Sequence, residues 1–208
     1  MKYDPQKHHR QSIRFKGYDY SQPGGYFVTV VAQNRECLFG EIVEREMRLS
    51  RAGRIVQQAW TDLPNHYSHV VLDEFVIMPN HVHGIIVLTD TGRGRSISGG
   101  IVLPDQDRDS MEPVPDPDQT CPYTIDKSTR PYDPRPGTRH ALPEIVRAFK
   151  SFSARRINAL RRTPGRPVWQ RNYYERIIRD EAELKLIREY IRYNPTQWES
   201  DQENPGRG

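Results

Sequence analysis

Cysteine is scarce: Cys37 and Cys121 are the only two in 208 residues. Two cysteines make neither a disulfide framework nor a cysteine-based zinc cluster, and a reducing cytoplasm is the expected setting. Long apolar runs are missing too. The longest, around 26–32 and 84–88, fall far short of the ~18 residues a helix needs to cross a bilayer, so no membrane partner is expected. The opening Met1–Arg10 is charged and histidine-bearing rather than apolar, and no secretory leader is expected there. Hydrophobic residues make up only 35% of the chain and the mean hydropathy is -0.83. Part of the chain is therefore expected to lie outside the core.

Residues 90–138 are sparse in apolar side chains. Eight of the 17 prolines and five glycines fall there, punctuated by aspartates, too little to offset the entropy of ordering the segment. The expected organisation is a single domain over 1–198, interrupted by a disordered Pro/Gly/Asp-rich insertion at 90–138 and followed by a disordered polar tail at 199–208. What remains suffices for one small core.

Strand and helix signals alternate through that remainder. Tyr26–Gln33 is β-branched and aromatic after Pro23-Gly24-Gly25 and predicts a strand. Residues from about Met47 to Leu63 carry apolar side chains at loosely helical spacing. Val70–Met78 and His81–Leu88 are two apolar runs separated by Pro79-Asn80, a pair suited to a tight reversal, and predict a hairpin. Leu142–Arg162 predicts a helix with Ile145, Phe149, Phe152 and Leu160 on its buried face. Trp169–Ile178 predicts a further strand, with Trp169 as a packing anchor. Asp180 is a candidate N-cap with Glu183 at the capping-box position, opening a last helix that Pro195 should stop. The order β-α-β-β-α-β-α fits an α+β fold: an antiparallel sheet with helices packed on one face.

Three groups of residues carry candidate chemistry. In a strand, His81 and His83 project from one face with Cα atoms about 6.6 Å apart, a spacing from which two imidazoles can share one divalent cation. H-x-H alone is a weak pattern that fits two polar surface histidines equally well. Tyr190 and Asn194 are four apart and share a helix face, although Pro195 biases Asn194 away from helical geometry. A phenol with a reference pKa of ~10 attacks phosphorus only when a nearby cation assists it. A core aromatic and a helix C-cap suit the same spacing, and Tyr173, Tyr174 and Tyr193 compete for the nucleophile's role. Finally, Arg139–Arg179 holds eleven basic residues against two acids, Glu144 and Glu175. That one-sided excess, nearly all arginine, suits a polyanion; Arg147, Lys150, Arg155, Arg161, Arg162 and Arg171 are the candidate DNA contacts.

Several ordered motifs coincide with one family. Met78-Pro79-Asn80-His81-Val82-His83-Gly84-Ile85-Ile86, Trp169-Gln170-Arg171-Asn172-Tyr173, Arg179-Asp180-Glu181 and Tyr190-Ile191-Arg192-Tyr193-Asn194-Pro195 resemble the REP-associated tyrosine transposases. These are single-tyrosine (Y1) transposases of the HUH endonuclease superfamily. Ser12–Tyr20 and Gln33-Asn34-Arg35 resemble the same family, and the likeness covers about 10–90 and 139–198. It implies a ferredoxin-like fold, a Mg²⁺ or Mn²⁺ ion, and cleavage of single-stranded DNA beside hairpin repeats. It also implies metal binding by His81 and His83, with Tyr190 as the nucleophile that takes the 5′ phosphate. Asn194 stands where related enzymes place a metal-ligating Gln, one methylene shorter in reach.

Two functions of different class fit this sequence: a DNA strand transferase working through a covalent phosphotyrosine, and a hairpin-DNA or RNA binding module that no longer cleaves. A third reading, a two-histidine-motif phosphodiesterase, would need a second H-x-[ST/H] element working with His81-Val82-His83. Monomer and homodimer both remain open.

Overall fold

The computed structural model describes residues 17–90 and 140–206; the expected insertion from 91 onward, Cys121 and the histidine-bearing start lie outside the described residues. Within them the elements run β1 (Gly24–Val31), β2 (Gly40–Val43), β3 (Glu46–Leu49), α1 (Arg51–Thr61), α2 (Leu63–His66), β4 (Val70–Ile77), β5 (His81–Leu88), α3 (Leu142–Arg161), β6 (Tyr174–Ile178) and α4 (Glu181–Tyr193). Four strands form one antiparallel sheet in the order β4-β5-β1-β6. With α1 between β1 and β4, and α3 between β5 and β6, this is the ferredoxin-like α+β arrangement expected.

Strand alternation decides what each face carries. Tyr26, Val28 and Val30 of β1 and Val82, Ile86 and Leu88 of β5 face the layer of α1 and α3, meeting Val56, Trp60, Ile145 and Phe149. Phe27 of β1 and Ile85 and Val87 of β5 face the other way, onto Leu184, Ile187 and Ile191 of α4. The expected one-sided helical layer thus holds for α1 and α3, while α4 lies on the opposite face. Strands β1 and β5 are apolar on both sides, so each side needs its own cover. On the first side, the Trp60 indole approaches Gly84 so closely that a Cβ there would overlap its ring.

Local departures from expectation have identifiable causes. Met47 lies in β3, not in a helix. The β2–β3 turn is made by Glu44 and Arg45 with φ of 53° and 67°, a left-handed pair usually signalled by Asn or Gly. The helix starts only at Arg51, where Ser50 Oγ accepts from the Gly53 N–H at 3.1 Å and donates to Leu38 O at 2.7 Å. In α3, Phe152 and Leu160 are 44% and 43% exposed, not buried. Ser153 takes the inward position beside Phe149, donating to Phe149 O at 2.7 Å and accepting from Trp169 Nε1 at 2.9 Å. Trp169 packs on Phe39 and Phe149 as an anchor, joined to Ala32 by a single bridge before β6 begins.

The C-terminal part departs most. Asp180 caps α4, accepting from the Glu183 N–H at 2.8 Å, while Glu183 accepts from the Arg179 N–H at 2.8 Å. Pro195 does not stop the winding or turn Asn194 out of it. Asn194 is helical (φ -55°, ψ -42°), and the chain tightens into a 3-10 helix over Asn194–Ser200, with Pro195 in the first turn where a missing N–H costs little. Residues 199–206 are not a disordered tail. The Glu203 carboxylate accepts from Arg35 Nε at 2.7 Å, and Glu203 O accepts from Asn80 Nδ2 at 2.6 Å.

Candidate metal and tyrosine site

β5 starts directly after the Pro79-Asn80 reversal, and its register sets Thr29 opposite His83 and Val31 opposite His81. Both histidines are buried on the α4 side of the sheet, so they are not surface residues. Their rings converge: His81 Nε2 and His83 Nε2 lie 2.9 Å apart. Each remaining ring nitrogen is held from behind. Asn80 donates through Nδ2 to Arg35 O and Glu203 O, leaving its Oδ1 to accept from His81 Nδ1–H at 2.8 Å. That bond fixes the tautomer of His81 that turns a bare Nε2 lone pair inward. His83 Nδ1 meets Thr29 Oγ1 at 2.8 Å, and its ring stacks on Phe27 at 5.5 Å.

Burial keeps both rings neutral. It pushes His83 down to about 3. His81 is also held well below the ordinary histidine value, by burial first and by its neighbour His83 second. A neutral imidazole is the form that binds a cation.

Helix α4 brings the phenol. Tyr190 Oη lies 3.3 Å from His83 Nε2, its ring 5.2 Å from the His83 ring and edge-on to Phe27 at 6.0 Å. Of the rival tyrosines, Tyr193 is 60% exposed and Tyr173 packs against the opposite core, while Tyr174 shares the α4 side and packs on Phe27 from β6. One helical turn beyond Tyr190, Asn194 is buried. Its Oδ1 is sealed from solvent without a hydrogen bond of ordinary geometry, yet it lies near enough to His81 to favour that ring's protonated form. Asp201, in the segment expected to be disordered, supplies a carboxylate 3.9 Å from His81 Nε2. One ligand atom from each of His81, His83 and Asp201 lies within 4.8 Å of the other two.

Two imidazole nitrogens face to face, an orphaned amide oxygen and a carboxylate form a donor set that fits a divalent cation. The fold thus brings His81, His83 and Asn194 together beside Tyr190. Asn80, Thr29 and Asp201 went unpredicted. Asn80 adjoins the histidine motif and could have been suspected as its support; nothing in the polar tail marked Asp201.

The basic residues do not gather at this site. Arg147, Arg155 and Arg162 belong to α3 or its C-cap, on the opposite side of the sheet. Lys150 points inward, its ammonium donating to Gln170 O at 2.6 Å and Arg171 O at 2.9 Å, and burial lowers it to about 8. These bonds tie it to the loop before β6. Arg161 pairs with Glu36 at 3.1 Å, and Arg155 lies over the Phe152 ring at 4.9 Å. Arg147, Arg162 and Arg171 are exposed.

No family model matches the chain. An uncharacterized protein of Haemophilus influenzae Rd is 40% identical over 201 residues, spanning 97% of this chain and 96% of that protein. Among solved structures, the REP-associated tyrosine transposase bound to a REP hairpin matches with a TM-score of 0.51 and 14% identity, over 88% of this chain and 73% of that one. The chain belongs to one family with the Haemophilus influenzae protein, and its fold is that of the single-tyrosine transposases.

Proposed function

We propose that this protein is a metal-dependent single-strand DNA endonuclease and strand transferase that cuts beside hairpin repeats through Tyr190. The observation that carries the reading is the Tyr190 hydroxyl, 3.3 Å from one of two converging, buried, neutral histidines. A divalent cation, Mg²⁺ or Mn²⁺, would be held by His81, His83 and Asp201 with Asn194 beside them, and would draw charge from a phosphate oxygen. Tyr190 Oη attacks phosphorus, forming a Tyr–O–P bond to the 5′ phosphate. The P–O3′ bond breaks, and the departing 3′ oxygen ends as a hydroxyl carrying the proton the phenol gave up. Because one phosphodiester replaces another, a second 3′ hydroxyl can later attack the phosphotyrosine and join a new strand without external energy. Exposed arginines on α3 and in the loop before β6 suit the DNA backbone, through contacts that position without reading sequence.

A hairpin substrate with a cleavage-trapping break tests this directly. With Mn²⁺ or Mg²⁺ present, the wild type and Tyr193→Phe should form an adduct that survives denaturant, and peptide mapping should place it on Tyr190. Tyr190→Phe should bind the hairpin and form none. A wild-type protein that binds the hairpin without forming an adduct would instead be a binding module.

A further inference from the structure

Helix α4 meets the sheet through a small apolar patch, Leu184, Ile187 and Ile191 against Phe27, Ile85 and Ile178, and its first turn is tied to β6 by Glu183 and Arg176 at 2.6 Å, away from Tyr190. Smooth aliphatic contact leaves a helix's rotation and slide loosely specified. Two ion pairs flank Tyr190 on that helix. Arg188, two residues before it, grips Asp73 with both arms, Nε to Oδ1 at 2.8 Å and Nη2 to Oδ2 at 2.5 Å. Arg192, two residues after it, pairs with Glu74. The two arginines are four apart and so share a helix face.

Their partners are consecutive residues of β4. In a regular strand consecutive side chains point to opposite faces, so one of the two carboxylates should turn away from α4. The pairing of β4 with β5 skips between Leu72 and Phe75, and this bulge lets both Asp73 and Glu74 reach the helix. Re-aiming a side chain is what bulges next to functional sites do. The pairs differ in weight. Side chains of Asp73 and Arg188 are 14% and 34% exposed, so their two-armed contact is partly desolvated, whereas Arg192 is largely solvated and adds little.

We propose that the β4 bulge and the Asp73–Arg188 pair are a clamp that sets the register of α4, and with it the place of Tyr190 Oη beside the histidines. Asp73 and Arg188 are positioning residues; they touch neither the histidines nor the reacting atoms. The inference rests on Tyr190 being the nucleophile. A reacting oxygen displaced by about 1 Å loses on the order of a hundredfold in rate, so a clamp at this distance bears on chemistry without bearing on DNA binding.

The test uses the full chain with 3-fluorotyrosine at position 190, in the wild type, Asp73→Ala and Arg188→Met, the last keeping an aliphatic stem against the sheet. The expected result is a moved or broadened Tyr190 fluorine resonance, single-turnover adduct formation slower by about ten- to a hundredfold, and a hairpin Kd within about twofold of wild type. If Asp73→Ala fails to fold, Arg188→Met carries the test. A slower reaction with an unmoved resonance, or a moved resonance with an unchanged rate, overturns the clamp. If the wild type forms no adduct at all, the tyrosine reading fails instead, and the resonance alone then decides whether Asp73 and Arg188 place α4.

Discussion

Asn80 Oδ1 accepts from His81 Nδ1 at 2.8 Å because the other end of the same amide is spent on two backbone carbonyls, Arg35 O and Glu203 O. The amide can therefore face only one way. One side chain thus ties together the β5 histidine, the left-handed turn at Asn34-Arg35 and the C-terminal segment. Removing such a support weakens metal sites about 10–100-fold. Asn80→Ala should lower Mn²⁺ affinity by that order in a calorimetric titration, with His81 and His83 intact. An unchanged affinity would mean that the tautomer of His81 is set by something else.

Asp201 gives a second test of the proposed cation. Asp201→Asn keeps the shape and removes the charge, and the Arg35–Glu203 pair two residues on still anchors the segment. Ligand charge tunes the affinity of cation sites, so Mn²⁺ should bind at least about tenfold more weakly while the melting temperature without metal barely moves. Equal affinities in the two proteins would place Asp201 off the ion.

Acid sensitivity follows from the two buried imidazoles. Both titrate lower in the fold than the ordinary 6.5, His83 at about 3, so the unfolded chain binds their protons more tightly. Stability is therefore highest above about 6.5 and falls as the pH drops from there toward 3. Melting temperatures recorded across that range in chelator should decline for the wild type and decline less steeply for His83→Gln. Parallel curves would show that His83 is not held neutral by the fold.

What could be read in advance followed from short-range rules. The alternation of His81, Val82 and His83 places both imidazoles on one face whatever the partner strands are, and Asp180 with Glu183 marks a helix start through bonds local to the chain. Other features depend on distant groups. The turn at Glu44-Arg45 takes left-handed backbone without the residues that advertise it, so β2 went unread and β3 read as the start of a helix. Phe152 lies outside because Ser153, bonded to Trp169 across the core, takes the inward position. Asp201 reaches His81 only because Arg35 and Asn80 hold Glu203, a contact spanning more than half the chain. The arginine count between 139 and 179 was legible, but which side of the sheet α3 covers was not.

The last prediction concerns the chain between Asp90 and His140. Its two flanks meet at one residue: Thr89 N–H donates to His69 O at 2.8 Å, and His69 Nε2 donates to His140 O at 2.9 Å. His69 is buried and so fixes both ends against the core. A linker of about eight Gly and Ser residues has a root-mean-square reach on the order of 15 Å, ample for flanks joined through a single side chain. Replacing residues 91–139 by such a linker should leave a protein that melts in one cooperative transition within a few degrees of the full chain. It should also bind Mn²⁺ with unchanged affinity, since His81, His83, Asn194 and Asp201 all lie outside the replaced stretch. A lost or broadened transition would show that the segment packs into the core, and a lost affinity alone would show that it reaches the metal site.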